Sequence, residues 1–385
     1  MTKLEQLIQE LCPDGVENKP LEKCCNILDN KRKPITKSAR ETGEYPYYGA
    51  NGIQDYVADY LFDGTFILVG EDGSVLTENG NPVVNWAEGK IWVNNHAHIV
   101  EECKGILLRY LFHYLQTINI APLIHGNIPK LTGKDFRALQ IPVPPLEVQA
   151  EIVRILDKFT ELTTELTTEL TDRKKQYEYY RDMLLKTDAP HYMLEEICDI
   201  VDYRGKTPKK VDEGIFLVTA KNIRKGYIDY EKSQEYVNPD DYAEIMRRGL
   251  PKIGDVLITT EAPCGNVAQI DREDIALAQR VIKYRPKDGR LNSSYLKYIL
   301  LGEEFQNKLL KAATGGTVKG IKGSRLHKLT IPVPPIEEQR RIVNILDRFD
   351  ALCNDISEGL PAEIEARQKQ YEYYRDKLLT FTMKE

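Results

Sequence analysis

IPVPPLEVQAEIVRILDKF, at residues 141–159, returns at 331–349 as IPVPPIEEQRRIVNILDRF, 190 residues on and without a gap. A second match follows each copy: KQYEYYRDMLL at 175–185 against KQYEYYRDKLL at 369–379, now 194 residues on. The later copy therefore holds four extra residues between its matched stretches. Weaker echoes precede them. PLEKCCNILD (20–29) is similar to MLEEICDIVD (193–202), and HGNIPKLTGKDFRALQ (125–140) to TGGTVKGIKGSRLHKLT (314–330). GTFILVGEDGS (64–74) is similar to GDVLITTEAPCG (254–265), which sets Glu71 opposite Glu261. Repetition on this scale means one architectural unit written twice. The expected order is a block at 1–145, a helix at 146–187, a block at 188–335 and a helix at 336–385.

The helices follow from local rules. Pro144-Pro145 and Pro334-Pro335 close an extended stretch, because the residue before a proline avoids the α region. Apolar residues then recur at helical spacing: Ile155, Phe159, Leu162, Leu166, Leu170, Tyr177, Tyr180 and Leu184. The second copy gives Ile345, Phe349, Leu352, Ile356, Leu360, Ile364, Tyr371, Tyr374 and Leu378. Each stripe is narrow, which predicts a helix–helix seam rather than enclosure by a core. Residues 146–186 make a rod of about 60 Å at ~1.5 Å per residue. Gly359-Leu360-Pro361 predicts a kink or restart of the second helix, with Pro361 in the first turn. Within the first helix, residues 160–171 read TELTTELTTELT, one tetrad three times over.

The blocks themselves read as α+β. GTFILVG and GDVLITT are apolar runs fit for buried strands, and YPYYGANGIQDY alternates between glycines as hairpins do. A chain of 385 residues with 42% hydrophobic and 29% charged residues suits two or three folded domains. No stretch approaches the ~20 apolar residues of a membrane span, and the acid-bearing start MTKLEQLIQELCPDG does not read as a targeting peptide, so a cytoplasmic protein without a membrane partner is expected. Seven cysteines without a Cys-x-x-Cys pair predict buried thiols in a reducing compartment.

The net charge of −6 is unevenly spread. The second block carries 24 cations against 21 acids, whereas the helical segments carry 7 against 9 and 8 against 11. Catalytic signatures are missing: YYGANG lacks the context of a cofactor loop, there is no GxxxxGK[ST], and neither Asn81-Pro82 nor Asn238-Pro239 continues as an adenine-methyltransferase motif. PDGVENK (13–19) places its acids too close together for a nuclease Asp…Glu-x-Lys. His96-Ala97-His98 sets two imidazoles on one strand face without a third ligand nearby in sequence, and no metal site is expected.

What remains is material for binding DNA. The first block concentrates Lys31, Arg32, Lys33, Lys37 and Arg40, followed by Tyr47, Tyr48 and Asn51. The second has Arg204, Lys206, Lys209 and Lys210, then Lys221, Asn222, Arg224 and Lys225, then Gln279 and Arg280, and a basic loop with Lys319, Lys322 and Arg325. Lysine and arginine neutralise phosphate, while Arg, Asn and Gln make bidentate contacts with purine edges.

Two variable blocks, each closed by IPVPP(L/I)E.Q..IV.ILD(K/R)F and a helix ending QYEYYRD.LL, resemble the DNA specificity subunit of a Type I restriction–modification system over the whole chain. The resemblance implies two α+β target-recognition domains reading the halves of a split, asymmetric site. The helices would pack antiparallel as a coiled-coil spacer between them, with pseudo-two-fold symmetry. It implies partners too: double-stranded DNA, two methyltransferase subunits that methylate adenine with S-adenosylmethionine, and two restriction subunits that use ATP and magnesium. This chain would carry no catalysis and no cofactor. It also implies that tetrads set half-site spacing. Four residues advance a helix by about 6 Å and turn it by about 40°, while one base pair turns DNA by roughly 34–36°. A coiled-coil scaffold joining two protein-binding blocks is the alternative, and a solitary nuclease or methyltransferase is a third.

Overall fold

The computed structural model describes residues 2–384 apart from 74, 125–126, 204–207, 316–318 and 355–358. The seam residue Ile356 and the candidate contacts Arg204 and Lys206 therefore lie outside the described residues. The chain forms two compact units, Met1–Thr167 with Glu363–Glu385, and Thr168–Ala362. The four segments read from the sequence are thus regrouped, each unit holding a globular block together with parts of the long helices.

In the first unit a six-stranded sheet runs in the order Asn26–Ile27, Ala97–Glu101, Phe62–Gly70, Val84–Val93, Thr42–Gly49, Gly52–Val57. In the second, a four-stranded sheet runs Cys198–Asp202, Val281–Pro286, Val256–Thr260, Cys264–Gln269. The first four strands of one match the four of the other in order, and all these pairings are antiparallel. A short ribbon closes each block, Asn18–Pro20 with Gln140–Pro142 and His191–Met193 with Thr330–Pro332. The duplication is thus written in topology.

Divergence sits in what is appended. In the first unit the predicted hairpin turns at Ala50-Asn51, with Gly52 at φ +91° opening the second strand, and extends the same sheet through a parallel pairing of Tyr47 with Trp92. The second unit instead builds a separate sheet from Lys210–Val211, Tyr236–Val237, Ile215–Val218 and Ile275–Leu277.

Strand register corrects one pairing expected from the sequence. Ile67 and Val69 face the core cluster beneath the helices, and their counterparts there are Val256 and Ile258, 189 residues on rather than 190. Glu71 therefore matches Thr260, and Glu261 matches Asp72. Aligned glycines misled the sequence reading, because a one-residue slip in a strand moves every side chain to the other face.

Leu146–Leu184 is a single helix of 39 residues, about 58 Å at ~1.5 Å per residue. The second helical segment is two helices, Ile336–Asn354 and Leu360–Leu378, with Pro361 in the first turn of the latter. In the first unit Phe159 stacks on Tyr374 at 5.3 Å, and Ile155, Tyr371 and Leu378 join the same cluster. In the second, Tyr177 and Tyr180 lie 6.5 and 5.7 Å from Phe349, with Leu170 and Leu184 packed alongside. The opening half of the first helix thus lies with the end of the last, and its closing half with Ile336–Asn354, as antiparallel pairing requires. Leu162, Leu166, Ile345 and Ile364 are half-buried, and Leu360 is buried.

Two expectations about the seam are corrected. The helices do enter the cores: Val148, Ile152 and Leu156, and likewise Ile342 and Leu346, are buried within the blocks. Leu352 is 40% exposed, and Cys353, fully buried, holds the inward position. The inward face runs Ile342, Leu346, Phe349, Cys353 in steps of four, three and four, which carries Leu352 off it.

The glutamine of the repeated motif is a clamp in both copies. Gln149 Oε1 accepts from the Leu107 N–H at 2.9 Å while Nε2 donates to the carbonyls of Gly105 and Pro144 at 3.0 and 2.8 Å. Gln339 does the same with the Asn292 N–H at 2.8 Å and the carbonyls of Arg290 and Pro334 at 2.7 and 2.8 Å. Both are fully buried, where an unmade hydrogen bond costs about 1–3 kcal/mol.

Candidate nucleic-acid interface

The residues expected to meet DNA fall into two sets. In the first block Lys31, Lys33, Lys37 and Asn51 are exposed, on the segment of short turns between Asp29 and Ala39 and on the hairpin tip. Arg32 works inside the fold. Its Nη1 donates to Glu71 Oε2 and to the Ala97 carbonyl, both at 2.6 Å. Tyr47 is buried with its hydroxyl at 3.2 and 3.3 Å from the backbone of Ile35, and Tyr48 is core. Arg40, half-buried, lies over the Tyr47 ring at 4.2 Å and pairs with Asp55 at 3.1 Å.

In the second block Lys209, Lys221, Lys225, Lys319 and Lys322 are exposed. Lys210 pairs with Glu235 at 2.6 Å, Arg224 with Asp229 at 3.2 Å, and Arg325 donates to the Ala312 carbonyl at 3.3 Å. Asn222 is fully buried, accepting from Thr219 N–H at 2.9 Å and donating to the carbonyls of Asp229 and Ser233 at 2.9 and 3.0 Å. Its amide ties a loop together, as asparagine side chains do where they replace backbone bonds.

His96 and His98 do not share a ligand face. His98 is buried, with Nδ1 at 2.7 Å from Asp29 and Nε2 at 3.0 Å from the Leu131 carbonyl, whereas His96 is half-exposed and bonded to Asp72. Asp29, Glu71 and His98 bring two carboxylates and an imidazole within 4.8 Å. The protein's own cations occupy them, with Arg32 at 2.6 Å and Lys130 at 3.3 Å from Glu71. Burial works against the Asp29 carboxylate, but hydrogen bonds from His98 and the Ile99 N–H outweigh it and hold the group below the usual range. The arrangement is a charge-balanced strut.

Beside that strut, the same backbone pattern recurs in both blocks. The Glu71 N–H donates to the His96 carbonyl and the Leu131 N–H to the Glu71 carbonyl, both at 2.8 Å. The Thr260 N–H donates to the Arg280 carbonyl and the Ile321 N–H to the Thr260 carbonyl, both at 2.9 Å. Asp72 bridges to Lys130, and Glu261 to Gly320. A carboxylate paired with a nitrogen-bearing side chain thus stands at one equivalent place in each block: Asp72 with His96, and Glu261 with Arg280 at 3.7 Å.

In the second block the pair lines a hollow of about 450 Å³ with Thr260, Gln279, Thr314, Gly320, Ile321 and Lys322. Arg280 holds a backbone φ of +73°, which a side chain accepts at a cost of roughly 1–2 kcal/mol. Such conformations persist where the surroundings over-determine them, which is common at binding sites. Asp72, His96 and Glu261 were not among the DNA contacts read from the sequence, because their juxtaposition depends on the register between distant strands. Gln149 and Gln339 left a signal, an identical residue in both copies, that was not read as structural.

Fold and site together define a duplicated binding protein, one framework carrying two differently furnished polar surfaces. The family model for the Type I restriction modification DNA specificity domain matches residues 13–173 and 191–366. A Haemophilus influenzae protein named as a type I restriction enzyme specificity subunit is 39% identical over 99% of both chains. The Escherichia coli EcoR124I/EcoR124II specificity subunit is 36% identical over 71% of each. The crystal structure of the type I S subunit from M. genitalium shares the fold at a TM-score of 0.54, 15% identity and coverage of 94% and 95% of the two chains. A chain from a structure of type I restriction–modification complex assembly does so at 0.58, 17% identity and coverage of 95% and 98%. The chain belongs to the type I restriction–modification DNA specificity family, and its function is the sequence-specific DNA recognition of that family. Among the described residues, no helix is long and apolar enough to cross a membrane.

Proposed function

We propose that each block reads one half of a split, asymmetric DNA site, and that the length of the helix joining the blocks sets the gap between the halves. The observation that carries this reading is the pairing of a shared four-strand framework with unlike surfaces. The same hydrogen bonds present Asp72 and His96 in one block and Glu261, Gln279 and Arg280 in the other. Two copies of one framework with different reading groups suit two different sequences, whereas a palindrome needs only one.

In this role the chain supplies specificity, and its partners supply chemistry. Two methyltransferase subunits bring S-adenosylmethionine and methylate adenine, two restriction subunits bring ATP and magnesium, and the complex works in the cytoplasm. The test is co-expression with the neighbouring methyltransferase subunit in a methylation-free host, with methylated adenines mapped by direct sequencing. One split, asymmetric motif with an adenine marked in each half is the expected result. No methylation by a folded, assembled complex would favour a protein-binding scaffold.

A further inference from the structure

Each of the two pairs, Asp72 with His96 and Glu261 with Arg280, sits at a strand end beside the loop leading into the closing IPVPP segment, placed there by matching backbone hydrogen bonds. Neither pair helps fill a core cluster. The side chains of Glu261 and Arg280 are 46% and 51% exposed and 3.7 Å apart, a geometry that contributes little to stability. Asp72 and His96 are 24% and 47% exposed. The buried counterions of the neighbourhood, Arg32 and Glu71, are satisfied by one another, so the two pairs are not needed to neutralise the fold.

We propose that the two pairs are the base-reading elements of the two half-sites, a deepening that rests on the reading given under Proposed function. Arg280 would leave Glu261 and make a bidentate contact with O6 and N7 of a guanine in the major groove. Gln279 and Lys322 line the same hollow and flank it. Glu261 holds the guanidinium in place before DNA arrives, and once Arg280 has moved it accepts from a cytosine amino group. In the first block His96, smaller and with a single outward nitrogen, contacts one polar atom on a base edge, with Asp72 as its holder. The blocks therefore read different bases from one equivalent position. The pairs are specificity-determining, and the lysines around them are electrostatic.

The test uses the full chain in its methyltransferase complex, with methylated sites mapped for wild type, Arg280→Lys, Glu261→Gln and His96→Gln. Arg280→Lys keeps the charge and loses the bidentate fork. It is expected to relax one position of one half-site by about 5- to 150-fold, a bidentate contact being worth roughly 1–3 kcal/mol of discrimination, and to leave the other half unchanged. His96→Gln is expected to alter only that other half. Glu261→Gln, which frees the guanidinium without removing it, is expected to change preference in the Arg280 half alone. Unchanged motifs in all three variants, or equal weakening of both halves, would overturn the assignment while the wild-type motif still stood. A wild-type complex that methylated no split motif would instead overturn the reading beneath it.

Discussion

His113 is fully buried between Asp157 and Tyr371, at 2.8 and 2.9 Å. Burial pushes its pKa below the ordinary value, with Arg109 and Arg375 acting in the same direction and the Asp157 hydrogen bond opposing them. The contacts suit a neutral ring, with Nε2–H donating to the carboxylate and Nδ1 accepting from the tyrosine hydroxyl. The unfolded chain then takes up a proton near pH ~6.5 that the folded chain refuses until lower pH, so stability falls as pH drops through that window. Urea unfolding at pH 7.5 and 5.5 is expected to show a loss of up to about 1.4 kcal/mol per pH unit from this group. His113→Gln removes that share, so its pH dependence is expected to be shallower than that of the wild type. Equal slopes for the two proteins would refute the assignment. In the second block Tyr298 takes the corresponding place, 2.5 Å from Asp347, so this protonation penalty belongs to one block only.

At the scale of elements, the tetrads are a length of helix with few commitments. Thr163, Thr164 and Thr167 donate their hydroxyls to carbonyls four residues back, at 2.8, 2.8 and 2.7 Å. That lets a residue of modest helix propensity sit in the interior without an unmet donor. The leucines lie half-buried on one side and the glutamates are exposed. Four residues leave the leucine stripe near its original face, as a coiled-coil stutter does. Deleting residues 164–167 from the complex is expected to shorten the unspecified gap by about one base pair, on the helical and duplex pitches, with both half-sites unchanged. Mapping of methylated sites reads this directly, and an unaltered gap would remove the ruler.

For the whole molecule, the net charge of −6 and the exposed lysines describe a division of labour. Phosphate contacts dominate affinity without carrying sequence. Replacing Lys31, Lys33 and Lys37 together by Gln is expected to weaken binding to every duplex alike. The dependence of log K on log salt would lose at most about 3 in slope, near 0.9 per phosphate contact. Fluorescence anisotropy across a salt series would show it, and a changed recognition motif would contradict it. The base-reading pairs predict the opposite pattern, a changed motif with a nearly constant slope.

The sequence by itself determined the duplication, the helices, the α+β class and the family, because these rest on short-range patterns. Prolines end strands, apolar residues recur at helical spacing, and a motif of 19 residues does not return in register with 13 of them identical by chance. Which polar residues face solvent was decided only by tertiary structure. Arg32, Tyr47 and Asn222 carry the residue types of a DNA contact, yet they spend their hydrogen bonds inside the fold. His96 and Arg280 share a role although no local pattern relates them, since 184 residues separate them where the closing motifs are 190 apart. Strand register alone brings each beside its carboxylate, and register is fixed by which face of the sheet is buried, a long-range choice that no window of sequence contains.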